Sequence, residues 1–149
     1  SVELFLSSEN TLMINAPLVC DDTLQTNDIA RIYPDGSFTI LGRKDNVINS
    51  GGIKVQAEEI ERLLQSSIPV PFVITSVPDR RLGQAVTLLI EGQMEISALG
   101  TKLESVLASY YRPKYIYTVN HIPQTGNGKI NRKECRVLAE SLQLLGRQE

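Results

Sequence analysis

The sequence predicts an α+β fold, with strands alone in the first forty residues and a mixture of strands and helices after residue 46. Two patterns predict it. The first part alternates apolar and polar residues between turn signals, whereas the second part alternates short apolar runs with stretches of helical periodicity. The 149 residues, of which 42% are apolar and 21% charged, suffice for one ordinary domain or for a small domain with part of another.

Two β-hairpins are predicted before residue 42. The first covers residues 2–15 and turns at the polar residues 7–10. The second covers residues 29–41 and turns at Pro34–Gly36, where proline fixes φ and glycine accepts the positive φ that follows. These strands are too few to close a core, so we expect residues 1–41 to be the edge of a larger domain.

A polar break at residues 42–46 separates this part from the next, in which the predicted order is β-α-β-β-α-β-α. A second break, at residues 49–52, contains a double glycine. The later elements are a helix over 57–66 with acidic first turns, strands over 70–77 and 85–90, a helix with Ile96, Leu99, Leu103, Val106, Leu107 and Tyr110 on one face, a strand over 115–119, and a terminal helix from Arg132 that presents Cys135, Val137, Leu138 and Leu142.

Composition excludes several classes of function. The net charge of −2 gives no global field for nucleic acid or an anionic membrane. No apolar run approaches the ~20 residues of a membrane span, and no signal segment begins the sequence. Cys20 and Cys135 form no metal-binding pair, and His121 is the single histidine, so a metal site or a histidine-based triad is not supported. We expect a cytoplasmic protein with reduced thiols.

The segment Pro123–Arg132 is unusual for a bland core. Two glycines and a threonine predict a mobile loop with free backbone N–H groups, and Lys129 at its end could offer a point charge to a phosphate or carboxylate oxygen. The spacing Gly126-x-Gly128-Lys129 is not that of a P-loop. On composition alone, a surface loop before a helix is the favoured explanation of the segment.

Two further segments carry polar residues with alternative explanations. In Gly42–Lys54, Gly51 and Gly52 let the backbone turn sharply or let a narrow ligand pass, but a linker between domains would look the same. In Thr26-Asn27-Asp28, just before a strand, the carboxylate of Asp28 could accept hydrogen bonds from two sugar hydroxyls or could cap a turn.

Five segments in this order resemble the C-terminal end of the adenylate-forming enzymes: Thr26-Asn27-Asp28, Asp35-Gly36, Gly42–Gly52, Glu58-Glu59-Ile60-Glu61 and Pro123–Lys129. That superfamily holds acyl-CoA and aryl-CoA synthetases, peptide-synthetase adenylation domains and luciferases. The resemblance extends from about residue 11 to residue 140, and the two glycine-containing stretches are specific in combination.

The resemblance implies a large N-terminal domain followed by a small, mobile C-terminal domain built from a small β-sheet flanked by helices. Residues 1–41 would be the last strands of the large domain, residues 42–45 the hinge and residues 46–149 the small domain. The whole enzyme would join a carboxylic acid to ATP, giving acyl-AMP and pyrophosphate, and then transfer the acyl group to coenzyme A. The phosphate loop, the acid pocket and the ligands of Mg²⁺ would lie outside this chain, so we expect these residues alone to be inactive.

The resemblance also implies roles for individual residues near the hinge. Asp28 resembles the aspartate that holds the ribose hydroxyls of ATP, for which a charged double acceptor is suited. Arg43 resembles the arginine that contacts the nucleotide ribose or phosphate. Asp45 occupies the hinge position about which the small domain would swing against its own N-terminal domain.

Three residues of the small domain resemble parts of the reaction site. Gly51 and Gly52 resemble the loop that lines the pantetheine tunnel, where absent side chains leave room for a thin thiol arm. Lys129 resembles the lysine that bridges the substrate carboxylate and the α-phosphate during adenylation. Its ammonium would offset the repulsion between the two anionic groups as they meet.

The segment Leu41–Lys54 resembles the same segment in the branch of the superfamily that contains the o-succinylbenzoate–CoA ligases of menaquinone biosynthesis. A generic fatty-acid or aryl-acid CoA ligase and a peptide-synthetase adenylation domain remain open. A non-catalytic interaction domain is a further alternative, although an independent module would not be expected to begin with orphaned strands.

Overall fold

The computed structural model describes residues 2–18 and 22–148, and Cys20 lies outside them. The chain forms two compact units that divide between Val47 and Ile48. Within the described ranges, no helix is long and apolar enough to span a membrane.

The first unit is a four-stranded antiparallel sheet with the strands in sequence order. Its strands are β1 (Glu3–Leu6), β2 (Thr11–Asn15), β3 (Leu24–Ile32) and β4 (Phe38–Arg43). Both predicted hairpins are confirmed. At the turn between β3 and β4, Gly36 has φ +89° and Asp35 Oδ1 accepts a hydrogen bond from the Ser37 N–H at 2.9 Å, as the turn chemistry predicts.

The third strand begins earlier than expected, so the prediction that Thr26-Asn27-Asp28 precedes a strand is wrong. These residues lie inside β3. Thr26 Oγ1 donates a hydrogen bond to the Leu12 carbonyl of β2 at 2.8 Å, which ties this polar stretch to the sheet. The strand is largely exposed on one face, so it lacks the apolar alternation by which the sequence would have shown it.

The second unit is a five-stranded sheet with three helices. Its elements are β5 (Val47–Ser50), β6 (Ile53–Gln56), α1 (Ala57–Leu64), β7 (Phe72–Asp79), β8 (Gly83–Glu91), α2 (Ile96–Val106), β9 (Tyr115–Val119) and α3 (Arg132–Gln148). The strands run in the order β6-β5-β8-β7, and β9 pairs with β8 in parallel. This order contains one more strand than predicted, because β5 and β6 form a hairpin where the sequence indicated a flexible break.

Strands β7 and β8 are buried on both faces, which explains their unbroken apolar runs. One face packs against α1 and α2 in a cluster that includes Ile60, Leu64, Ile74, Leu88, Ile90, Leu99 and Leu103. The other face packs against α3 in a cluster that includes Val73, Val77, Leu89, Cys135 and Ala139. The α+β class is therefore confirmed, with the small sheet flanked by helices.

Two helix predictions need correction at their ends. The first helix ends at Leu64 rather than Ser66. The helix α2 ends at Val106 and a 3₁₀ turn follows at Ser109–Tyr111. Its predicted apolar face is buried at Leu99, Leu103 and Leu107 and exposed at Ile96, Val106 and Tyr110. Ile96 and Val106 are the two terminal residues of the helix, and Tyr110 lies in the 3₁₀ turn that follows it.

Candidate functional site

Asp28 and Arg43 are neighbours across the β3–β4 pair. They lie opposite each other in the antiparallel register, and Arg43 Nη1 donates to Asp28 Oδ1 at 2.9 Å. The Asp28 side chain is 31% exposed and that of Arg43 is 56% exposed. The fold thus brings together two residues that resemblance assigned to the same nucleotide, and leaves both within reach of solvent.

The backbone around Asp28 is well anchored. Its N–H donates to Thr26 Oγ1 at 3.2 Å, and Thr26 in turn donates to the Leu12 carbonyl. A carboxylate offers about four lone-pair positions, so the hydrogen bond from Arg43 leaves acceptor capacity for further donors. The arrangement can bind a diol beside a fixed cation.

Asp45 lies in a 3₁₀ turn, Lys44–Asn46, immediately before the division between the two units. Lys44 forms an ion pair with Glu9 at 2.7 Å, so the first residue of the turn is held to the first unit. The assignment of Asp45 as a hinge residue stays a prediction.

Gly51 and Gly52 form the two-residue turn between β5 and β6. Their φ values are +60° and +86°, the pair of positive angles that favours glycine in tight hairpins. The Gly51 N–H donates to the Leu82 carbonyl at 2.8 Å. A Cβ at Gly51 would lie 3.1 Å from Leu82 Cδ2, whereas a Cβ at Gly52 would meet nothing within 4 Å.

A cleft of about 500 Å³ lies beside this turn. It is lined by Asn49, Gly52, Leu82, Gly83 and Gln84. No lining residue is ionisable, and the Gln84 side-chain carbonyl accepts a hydrogen bond from the Asn49 N–H at 2.8 Å. The cleft suits an uncharged ligand that carries amide groups more than it suits a phosphate.

The loop that carries Lys129 is a narrow hairpin. The Asn131 N–H donates to the Pro123 carbonyl at 2.9 Å and the Thr125 N–H donates to the Lys129 carbonyl at 2.7 Å. The Gly128 N–H donates to the Thr125 carbonyl, with Gly128 at φ +79°. The expectation of free N–H groups is therefore wrong at Thr125 and Gly128, since both close the loop. Lys129 itself is exposed.

The Gly51–Gly52 turn and the Lys129 loop lie at opposite ends of the sheet. Gly51 contacts the residue that precedes β8, and Ser50 is in register with Gly83. The Lys129 loop follows β9, whose last residue, Val119, is in register with Glu91 at the other end of β8. Nine residues at about 3.3 Å each make β8 roughly 25–30 Å long.

Sequence reasoning missed a bidentate ion pair close to Lys129. Arg132 Nη1 and Nη2 donate to the two carboxylate oxygens of Glu61 at 3.0 and 2.8 Å. The sequence pattern predicts that Glu61 belongs to the acidic first turns of α1, near the positive end of the helix dipole, and that Arg132 begins the last helix. A sequence shows no signal for a contact between residues 71 positions apart.

A second ion pair missed by the sequence joins Lys114 to Asp79 at 2.6 Å. The hydrogen bond from Lys114, together with one from the Leu82 N–H, lowers the pKa of Asp79 to about 2.

Burial raises the pKa of the Cys135 thiol to about 11, which suits a core residue rather than a nucleophile. Across the described residues, no group of three or more His, Cys, Asp or Glu side chains could hold a metal ion.

Comparisons with known proteins find relatives in sequence and in fold, although no model of a protein family matches the chain. Triostin synthetase I of Streptomyces triostinicus is 38% identical over 126 residues, which are 81% of this chain and 24% of that protein. The 2-succinylbenzoate–CoA ligase of Lactococcus lactis is 33% identical over 113 residues, 75% of this chain and 25% of that protein. A solved acyl-CoA synthetase (AMP-forming)/AMP-acid ligase II-like protein from Dyadobacter fermentans has 30% identity and a TM-score of 0.59, covering 90% of this chain and 40% of its own.

The fold and these similarities define the chain as a member of the adenylate-forming enzymes. It belongs to the family of AMP-forming acyl- and aryl-CoA synthetases and corresponds to their C-terminal part. It spans about a quarter of the length of the two relatives just named. The resemblance first seen in the residue pattern is therefore confirmed, as is the predicted fold of the small C-terminal domain.

Proposed function

We propose that this chain is the C-terminal part of an ATP-dependent carboxylic acid–CoA ligase. The whole enzyme converts an acid and ATP to acyl-AMP and pyrophosphate, and then transfers the acyl group to the thiol of coenzyme A. The observation that carries this proposal is the separation of an exposed lysine, Lys129, and a side-chain-free turn, Gly51–Gly52, at opposite ends of one rigid sheet.

Lys129 acts in the first half-reaction. The attacking carboxylate and the α-phosphate are both anionic, and their approach concentrates negative charge. An ammonium fixed beside both oxygens offsets this charge, and such a contact is worth about 3 kcal/mol in the transition state. The exposure of Lys129 on a closed hairpin supports the role, because the group is accessible and its backbone is held.

Asp28 and Arg43 bind the nucleotide. Asp28 accepts hydrogen bonds from the two ribose hydroxyls, and Arg43 contacts the ribose or a phosphate while it orients the carboxylate. Their 2.9 Å contact supports a shared site, because it presents acceptor and cation side by side. ATP brings Mg²⁺, whose protein ligands we propose to lie in the rest of the enzyme.

The Gly51–Gly52 turn acts in the second half-reaction. The pantetheine arm of coenzyme A is thin, uncharged and rich in amides, which matches a cleft lined by two glycines, two amide side chains and one leucine. Since the turn and the Lys129 loop lie toward opposite ends of β8, a strand roughly 25–30 Å long, one unit serves both steps by turning about Asp45 between them.

For the acid we propose o-succinylbenzoate, which would make the enzyme a cytoplasmic ligase of menaquinone biosynthesis. The similarity to the 2-succinylbenzoate–CoA ligase of Lactococcus lactis and the segment Leu41–Lys54 support this choice. A generic fatty-acid or aryl-acid ligase would share the same C-terminal chemistry.

A screen of acids with the full-length enzyme tests the function and the substrate separately. Each acid is incubated with ATP, Mg²⁺ and coenzyme A, and AMP and thioester are measured. A kcat/KM for o-succinylbenzoate at least a hundredfold above benzoate and octanoate is expected. A preference for another acid overturns the substrate alone. Adenylation of amino acids without thioester formation on coenzyme A would overturn the ligase in favour of a peptide-synthetase adenylation domain.

A further inference from the structure

We propose that Glu61 and Arg132 form a positioning pair that holds Lys129 in place for adenylation and has no part in thioester formation. This inference rests on the proposed function of Lys129. It concerns two residues that touch neither the nucleotide nor the acid in that proposal and that act through the loop beside them.

The contact is geometrically strong. The guanidinium of Arg132 uses two nitrogens on the two oxygens of Glu61, at 3.0 and 2.8 Å, in the fork geometry that restricts both side chains. The side chains are only 26% and 16% exposed, so the pair is more shielded from solvent than an ordinary surface ion pair.

Glu61 is itself fixed by the core. Its Oε2 atom also accepts a hydrogen bond from the Ile74 N–H of β7 at 2.9 Å. Glu61 belongs to α1, which is anchored to the sheet by the fully buried Ile60 and Leu64. The Glu61 carboxylate is therefore held against the core, and it fixes the position of the Arg132 guanidinium that binds it.

Arg132 transmits this position to Lys129. It is the first residue of α3 and follows Lys129 by three positions, a span of at most about 10 Å of chain. Between them, Asn131 closes the hairpin through the Pro123 carbonyl, and its Oδ1 atom accepts the Glu134 N–H at 3.1 Å at the start of α3. Ile130 packs against the second core cluster. These contacts join the start of α3 to the base of the Lys129 hairpin. Arg132 then connects both to α1 and β7 through Glu61.

Precise placement matters for Lys129 because a misplacement of about 1 Å in a positioned catalytic group can cost a hundredfold in rate. The ion pair between Asp79 and Lys114, in which the Asp79 side chain is 4% exposed, supplies a control. It lies at the Gly83 end of β8, since Asp79 is in register with Gly83, whereas the Lys129 hairpin follows β9, which ends opposite Glu91. Loss of either pair should affect stability, but only loss of Glu61–Arg132 should affect adenylation.

The test measures the two half-reactions of the full-length enzyme separately, together with the thermal midpoint, for Arg132→Gln, Arg132→Lys, Glu61→Gln and the control Asp79→Asn. We expect Arg132→Gln to lower kcat of adenylation 10- to 100-fold with KM for ATP and acid within twofold, and to leave thioester formation from preformed acyl-AMP within twofold. Glu61→Gln, which keeps the shape and an acceptor for the Ile74 N–H, should show the same pattern more mildly. Arg132→Lys should recover part of the lost rate, and Asp79→Asn should leave adenylation within twofold.

A double variant separates positioning from a general loss of stability. In a Lys129→Ala background, Arg132→Gln should lower adenylation no further, because there is no ammonium left to position. A further drop of tenfold or more in that background would overturn the inference, as would an equal loss in both half-reactions or an unchanged kcat in Arg132→Gln. Absence of adenylation in the unmodified enzyme would instead overturn the proposed function.

Discussion

Lys114 Nζ lies 2.6 Å from Asp79 Oδ2, and this ion pair ties the segment before β9 to the turn between β7 and β8. The other oxygen of Asp79 accepts the N–H groups of Arg81 and Leu82, each at 2.9 Å. The Leu82 carbonyl then accepts the Gly51 N–H. A continuous set of contacts therefore leads from Lys114 to the turn that we propose as the pantetheine site.

Because of this ion pair, we expect the free energy of unfolding to decrease in acid. The pKa of Asp79 is lowered to about 2 in the folded state, so its contribution to stability is present above an unfolded pKa of about 3.9 and is lost as the pH falls toward 2. The free energy of unfolding, measured by denaturant titration at pH 7, 4, 3 and 2, should fall less steeply in Asp79→Asn than in the unmodified protein. The exposed Glu104→Gln serves as a control and should leave the slope unchanged. If the free energy of unfolding fell equally steeply with pH in Asp79→Asn and in the unmodified protein, the stabilising role of the Asp79 carboxylate would be contradicted.

The glycine turn predicts a difference between two neighbouring substitutions. Gly51→Ala and Gly52→Ala both place a side chain at positive φ, at a cost of about 1 kcal/mol. Gly51→Ala should cost more, since its Cβ would also press on Leu82. Thermal or chemical denaturation measures both. Gly100→Ala in α2, where a Cβ meets nothing within 4 Å, should instead stabilise by about 0.5–1 kcal/mol. Equal losses of stability in Gly51→Ala and Gly52→Ala would contradict this prediction, because Leu82 would then move away from the new Cβ without cost in free energy.

The Asp28–Arg43 pair predicts an effect on nucleotide binding with little effect on stability. Asp28→Asn removes the charge that strengthens hydrogen bonds to ribose, which are worth about 1.5–3 kcal/mol, so KM for ATP in the full-length enzyme should rise at least about tenfold. Because the pair is partly exposed, the free energy of unfolding should change by less than about 1 kcal/mol. Glu9→Gln, which breaks the exposed Lys44–Glu9 pair in the same unit, should leave KM unchanged. A rise in KM of the same size in Glu9→Gln would remove the specific role of Asp28.

Much of the fold was predictable because its periodic segments are buried. The strand at residues 115–119 and the starts of α1 and α3 match the sequence predictions at the residue level. The apolar spacing reflects burial in α1, at Ile60 and Leu64, and in α3, at Cys135, whereas the strand is only half-buried. The β5–β6 hairpin and the first half of β3 were missed because both are short of apolar alternation.

The candidate site was predictable only in part. Asp28, Arg43, Gly51, Gly52 and Lys129 are predicted as site residues because their residue types in that order resemble a family pattern. The structure adds the Asp28–Arg43 contact and the separation of Gly51–Gly52 from Lys129, and neither follows from spacing. Partner choice across long sequence separations depends on register and packing, and a single sequence does not encode these locally.

The most direct test of the account is Lys129→Ala in the full-length enzyme, with the two half-reactions measured separately. Removal of the ammonium should lower adenylation at least about a hundredfold, from a loss of roughly 3 kcal/mol of transition-state stabilisation. Thioester formation from preformed acyl-AMP should stay within a fewfold of the unmodified rate, because Lys129 lies at the far end of the sheet from the Gly51–Gly52 turn. An equal loss in both half-reactions would contradict the division of labour between the two ends of this unit.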